Sequence, residues 1–260
     1  MDRGGPVIVE GAALNASSAD QARLLDLQGL DSRLSQLAHR RRSLPELAEL
    51  AAIAEQLREV DDQLVDLQTS RSDVAREATK LEQDIDQVRA RSDRDQQRLD
   101  SGSITSAKDL ESLQHEIVSL RRRQNELEEI ELEILQRVED LDHGLSSLQR
   151  SRAELEQRRA QAELSRDAQL AQLDVDATAA QADRADLAGQ IPDELLTFYD
   201  KLRDQLGGVA VAALRQRRCD GCRLELNAIE VGRFRDAPDD AILRCEECRR
   251  VVVRTAESGL

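Results

Sequence analysis

The chain has 260 residues, a net charge of −15, 34% charged residues, and only 1% aromatics with no Trp. Aromatic side chains dominate the cores of ordinary globular domains, so this makeup argues against an enzyme-sized core and for long solvated helices. No stretch approaches the ~18 apolar residues that a membrane span needs, and the amino end lacks a basic region followed by an apolar run. A cytoplasmic protein without a membrane role is expected.

Residues 1–18 carry no periodic pattern and are expected to form a disordered leader. A first helix is predicted from about Ser18, broken at Ser43-Leu44-Pro45-Glu46. Pro45 lacks an amide donor, which the first turn of a new helix does not need, and Ser43 with Glu46 has the spacing of a capping pattern.

From Leu50 to Val88 the positions 50, 53, 57, 60, 64, 67, 71, 74, 78, 81, 85 and 88 step alternately by three and four, and Arg71 is the one polar member. The same stepping from Leu110 to Ala162 is interrupted by Gln124, Glu131, Arg152 and Arg159. Both are heptad seams. Between them, Asp100-Ser101-Gly102-Ser103-Ile104-Thr105 is a turn, and Ser106 with Asp109 can cap a new helix. The expected fold is therefore mainly α: a long antiparallel coiled-coil hairpin over 19–188 with its tip near 100–105, followed by a small β-rich module. At ~1.5 Å per residue, the arm from 106 to 188 spans on the order of 120 Å. Beyond residue 162 the seam weakens into Ala-rich sequence that buries little area per residue. Leu132, Ile134 and Leu135 add apolar surface that could pair two hairpins.

A short connecting helix is predicted within 189–208, opened by Pro192 with Asp193 and Glu194 and closed by Gly207-Gly208. Phe198 and Tyr199 are expected to anchor the following module to the base of the hairpin. Val209-Ala210-Val211 reads as a strand, as does the Val run at 251–253.

Residues 209–260 contain all four cysteines, Cys219 and Cys222 in one C-x-x-C pair and Cys245 and Cys248 in another. Each pair can close a turn that aims two sulfurs at one point, and two such turns supply the four thiolates that tetrahedral zinc accepts. A redox C-x-x-C would open a helix in a βαβ setting, which neither pair does. The reducing cytosol also disfavours disulfides. One structural Zn²⁺ in a C4 ribbon is expected, with every ligand position filled by protein and none left for catalysis. No phosphate-cradling Gly loop, Ser-His-Asp set or paired-carboxylate pocket can be assembled elsewhere, so neither an enzyme nor a small-molecule substrate is expected.

Residues 215–254 hold ten Arg against eight acids, a formal +2, and four thiolates on one zinc add about −2. The rest of the chain carries −17, the difference between −15 and +2. Such a chain repels a polyanion at long range, so any RNA or DNA binding must rest on a local face. Arg217, Arg218, Arg249 and Arg250 flank the knuckles and are the candidates for partner or nucleic-acid contact. Arg40-Arg41-Arg42 and Arg121-Arg122-Arg123 fan around their helices among acids and form no single patch.

Taken together, Ile104-Thr105-Ser106-Ala107-Lys108-Asp109-Leu110-Glu111-Ser112-Leu113-Gln114-His115-Glu116-Ile117 after the tip, Pro192-Asp193-Glu194-Leu195 through Tyr199, and the two cysteine pairs resemble a bacterial family. Its members are coiled-coil hairpin proteins with a carboxy-terminal C4-type zinc ribbon, among them a flagellar regulator of epsilon-proteobacteria and a chlamydial protein linked to type III secretion. Those relatives are associated with a sigma factor, secretion components or messenger RNA. The resemblance implies a non-enzymatic adaptor with protein partners, the alternative being a nucleic-acid-binding regulator that acts through the ribbon arginines. Arg249 departs from the pattern, because a Gly often follows the final cysteine of such a knuckle.

Overall fold

A computed structural model describes residues 14–260, in two compact units. The second comprises Glu46–Ser165; the first joins residues 14–45 to Arg166–Leu260. The elements run α1 (Ser18–Arg42), α2 (Pro45–Asp100), α3 (Ala107–Ala188), α4 (Asp193–Gln205), β1 (Val211–Arg215), β2 (Arg218–Cys219), α5 (Ala228–Asp236) and β3 (Val251–Val253). No helix among the described residues is long and apolar enough to cross a membrane.

In the unit Glu46–Ser165, α2 and the first part of α3 form the antiparallel hairpin that the heptads predict. Val74, Leu81, Ile85, Leu127 and Ile134 make a buried cluster, with Ala78, Val88, Val138 and Leu141 packed against it. Ile134 thus belongs to the seam, whereas Leu132 and Leu135 are 68% and 52% exposed. Charged pairs join the two arms, including those of the seam members Arg71 and Arg152. Arg71 donates through Nε to Asp142 at 3.0 Å, Arg152 to Asp61 at 2.7 Å, and Arg137 pairs with Glu77 at 3.1 Å. Partner numbers on α3 rise as those on α2 fall, which fixes the antiparallel register. Towards the tip the seam turns polar, with Ser92 and Asp95 buried at the positions that continue the three-four stepping past Val88.

In the other unit, Ser17 caps α1 by accepting from the Asp20 amide at 3.1 Å. Residues 14–17, placed in the leader by the sequence analysis, are ordered: Asn15 bridges Ala241 antiparallel, and the Ala16 amide donates to the Asp240 carbonyl at 2.9 Å. The remainder of that leader, 1–13, lies outside the described residues. α1 ends at Arg42, where the Ser43 hydroxyl donates to the His39 carbonyl at 3.0 Å, and Pro45 opens α2 as its first residue. Pro192 stands one position outside α4 as its N-cap.

Leu24 and Leu27 of α1, Leu195, Tyr199 and Leu202 of α4, and Val211, Val251 and Val253 of the sheet share one core. The sheet order is β2-β1-β3, with β1 parallel to β3 and antiparallel to β2. Parallel pairing puts Val211 opposite Val251 and buries both faces, which accounts for the uninterrupted apolar run at 251–253.

Polar groups cross-link this core. Gln28 Oε1 accepts from the Ala210 amide at 2.7 Å, while its Nε2 donates to the Gly208 carbonyl at 3.0 Å. One turn along α1, buried Asp31 accepts from Tyr199 Oη at 2.7 Å, Arg184 Nε at 2.7 Å and Arg203 Nη1 at 2.6 Å. Burial pushes the Asp31 carboxyl upward, but these donors and the Arg184 charge outweigh it and hold the group below the ordinary carboxylate range. Burial and then the Asp31 bond raise the Tyr199 phenol.

Candidate metal centre

The ribbon is built from two loops with one hydrogen-bond pattern. In the first, the Cys219 amide donates to the Leu224 carbonyl at 3.0 Å and the Arg223 amide to the Cys219 carbonyl at 2.7 Å. In the second, the Cys245 amide donates to the Arg250 carbonyl at 3.0 Å and the Arg249 amide to the Cys245 carbonyl at 2.9 Å. Two equal turns thereby present their cysteines to a common point.

All four Sγ atoms lie within 4.8 Å of one another. Cys219 and Cys248 are 3.8 Å apart, and Cys222 and Cys245 3.9 Å. A disulfide requires about 2.0 Å, so the sulfurs are unbridged thiols. Four sulfurs at about 2.3 Å from a tetrahedral ion lie about 3.8 Å apart, which the two measured edges match. The donor set fits a metal. Without an ion, burial pushes the Cys219 thiol up to about 12 and raises Cys245. Cys248 is pulled down although burial opposes it, because the Arg250 amide and side chain and the thiols of Cys245 and Cys219 bond to it.

Behind the sulfurs lies a small apolar core that the sequence analysis did not anticipate. Leu214, Leu226, Val231, Phe234 and Val252 pack with Cys219 and Cys245, and Phe234 is wholly buried. α5 is likewise additional; Asn227 and Glu230 cap it reciprocally, and the Glu230 carboxylate also accepts from the Glu246 amide at 3.2 Å, tying α5 to the second knuckle. The signal was present as Asn227-x-x-Glu230, the spacing of a capping box. Phe198 meets the ribbon through the Arg244 guanidinium, 5.1 Å from its ring centre.

The four candidate contact arginines separate. Arg250 is committed internally: its Nε donates to the Val209 carbonyl at 3.0 Å and its Nη1 to the Gly221 carbonyl at 3.3 Å. Arg217 is exposed, with one bond from Nε to the Gly259 carbonyl at 2.8 Å. Arg218 and Arg249 are exposed. Arg223, not among the four, is exposed beside Arg218 at the start of the segment that pairs with it: Arg218 bridges Glu225, and the Leu226 amide donates to the Arg217 carbonyl at 2.8 Å.

Elsewhere in the same unit a cleft of about 840 Å³ opens beside Asp31, floored by Leu34, Leu37, Leu173 and Ala177. Its arginines are paired, Arg41 with Asp174 and both Arg184 and Arg203 with Asp31.

Known proteins resemble this chain in sequence or fold. An uncharacterized protein of Mycobacterium tuberculosis, Rv2229c, is 34% identical over 93% of this chain and 98% of its own length. A Mycobacterium leprae protein, ML1638, is 29% identical over 84% of this chain and 93% of its own. A solved structure from Mycobacterium smegmatis superposes with a TM-score of 0.80 at 35% identity, covering 93% of this chain and all of that one. CT398 of Chlamydia trachomatis shares the fold, with a TM-score of 0.66 at 16% identity over 91% of this chain and 98% of that one. The model of the CT398-like coiled coil hairpin domain matches residues 27–207, which spans both heptad arms and α4, and the chain belongs to that family.

Proposed function

We propose that this protein is a non-enzymatic cytoplasmic adaptor whose ribbon, held by one structural Zn²⁺, is a docking head for a protein partner. The observation that carries the reading is the sulfur geometry, two edges of 3.8 and 3.9 Å among four unbridged cysteines. Cys219, Cys222, Cys245 and Cys248 would hold the ion as thiolates, and the all-sulfur donor set favours zinc over harder cations. A bound zinc supplies fixed geometry and no reaction, because four protein ligands leave no position for substrate.

The module also needs a cross-link. Its apolar core rests on six buried side chains and the cysteines themselves, a small amount for an independent fold. Elemental analysis of protein purified under reducing conditions should return one zinc per chain, lost in Cys222→Ser together with partner capture. Zinc-free wild-type protein with an intact ribbon would refute the reading.

A further inference from the structure

Four non-glycine residues among those described have positive φ, and all four are in the ribbon: Gln216 at 46°, Arg217 at 62°, Arg223 at 64° and Arg249 at 63°. A side chain with a Cβ is strained in this left-handed region, where turns ordinarily take Gly or Asn. Gln216 and Arg217 form the two-residue turn between β1 and β2, since Arg215 pairs with Arg218. A turn of this type is dominated by Asn-Gly and related pairs. Arg223 and Arg249 hold equivalent places, four residues after the first cysteine of each knuckle. Three tight turns of one small module thus carry arginine where glycine is easiest. Strain maintained at such positions points to a use for the side chains.

The neighbours indicate what that use is. Arg217 closes the turn into β2 and Arg218 is the first residue of that strand; Leu224 and Glu225 lie on the segment paired with it, which Arg223 precedes. Leu224 is 51% exposed, and Ile229, in the first turn of α5, is 85% exposed. This paired region exposes three cations, Arg217, Arg218 and Arg223, and one acid not engaged by Arg215, Glu225, since the Asp220 carboxylate is held by Arg215 at 3.1 Å. The local excess is positive while the whole ribbon is near neutral and the rest of the chain strongly acidic. That combination suits a short acidic segment with apolar anchors better than a long polyanion.

We infer that Arg217, Arg218, Arg223, Leu224 and Ile229 form a docking surface for an acidic protein segment bearing exposed leucine-like side chains. This rests on the adaptor reading above and names the chemistry of the partner. The arginines supply attraction and register; Leu224 and Ile229 supply the area that leaves water.

The test uses zinc-loaded full-length protein and a fluorescent peptide alternating Glu pairs with Leu. Wild type should bind it at physiological salt. R217G/R223G relieves backbone strain, so it should fold with its zinc retained yet bind at least about tenfold more weakly. Leu224→Ser with Ile229→Ser should weaken binding without changing its salt dependence. A zinc-loaded wild type that ignores the peptide, or an R217G/R223G variant that binds it equally, overturns the surface and leaves the adaptor reading standing. Tighter, arginine-dependent binding of an oligo(U) RNA of matched charge overturns it in favour of a nucleic-acid face. Wild-type protein without zinc removes both readings together.

Discussion

Tyr199 donates a 2.7 Å hydrogen bond to Asp31 from a site 168 residues away in the chain, and both groups are buried. The same carboxylate receives Arg184 of α3 and Arg203 of α4, so one side chain of α1 holds three others in place. Asp31→Ala would remove the shared acceptor of two guanidiniums and a phenol, leaving Arg184 its bond to Asp200 at 3.2 Å and Tyr199 a longer one to Gln28 at 3.4 Å. Both arginines keep partial access to water, which limits the penalty to about 2–3 kcal/mol. Tyr199→Phe removes one bond to a charged acceptor, about 1.5 kcal/mol. Urea unfolding followed by circular dichroism would measure both, and equal midpoints for wild type and Asp31→Ala would refute the network's role.

The depressed Asp31 carboxyl makes a pH prediction with a definite sign. Its folded value lies below the unfolded one of about 3.9, so its contribution is complete above that pH and is lost as pH falls through the folded value. Wild type should therefore lose stability more steeply than Asp31→Asn below about pH 4. Parallel acid titrations would contradict the assignment.

How much of this was legible beforehand depends on the distance over which each signal acts. The hairpin was readable because heptad stepping is local and recurs for many turns, and Pro45 and Gly102 marked its interruptions. Ser92 and Asp95 extend the seam with polar side chains, so hydropathy stops short of where packing does. The four cysteines were readable from their spacing, but the left-handed turns at Arg217 and Arg223 were not, because sequence announces that conformation by Gly or Asn. Asp31 and Gln28 look like any polar residues of a solvated helix. Their partners lie more than 150 positions away, and no local pattern encodes them.

Removing the proposed zinc should act locally. Chelation, or acid that protonates the thiolates, should abolish hydrogen-exchange protection at the Cys219, Arg223, Cys245 and Arg249 amides, whose bonds define the knuckles. Helical ellipticity should change little, since the seam of Glu46–Ser165 has its own apolar cluster. Unaltered knuckle protection in metal-free protein would show that the small core around Phe234 suffices alone.

Opposite effects are expected from two substitutions in the knuckles. Arg249→Gly relieves a residue at φ 63°, worth about 1–2 kcal/mol before the greater freedom of Gly in the unfolded chain takes back about half. A net gain of about 0.5 kcal/mol should appear as a small rise in Tm. Gly221→Ala places a Cβ 2.6 Å from Arg250 Cδ and 3.2 Å from Ala212 Cβ. Arg250 would have to move from the Val209 and Gly221 carbonyls that it bridges, and the Tm should fall.

Ile134 and Leu132 are two positions apart on α3 and have opposite environments, 3% against 68% exposed. Ile134 closes the cluster of Val74, Leu81, Ile85 and Leu127, so Ile134→Ala opens a cavity in a seam with no aromatic to relax into it. The expected loss is about 2–4 kcal/mol. Leu132→Ala removes a side chain already in water and should stay within about 0.5 kcal/mol. Urea midpoints measured over a range of protein concentrations make the comparison stringent. A large, concentration-dependent loss for Leu132→Ala would mean that a second chain covers that face; a small loss for Ile134→Ala would mean that the register of the two arms differs from the one defined by Arg71 with Asp142 and Arg152 with Asp61.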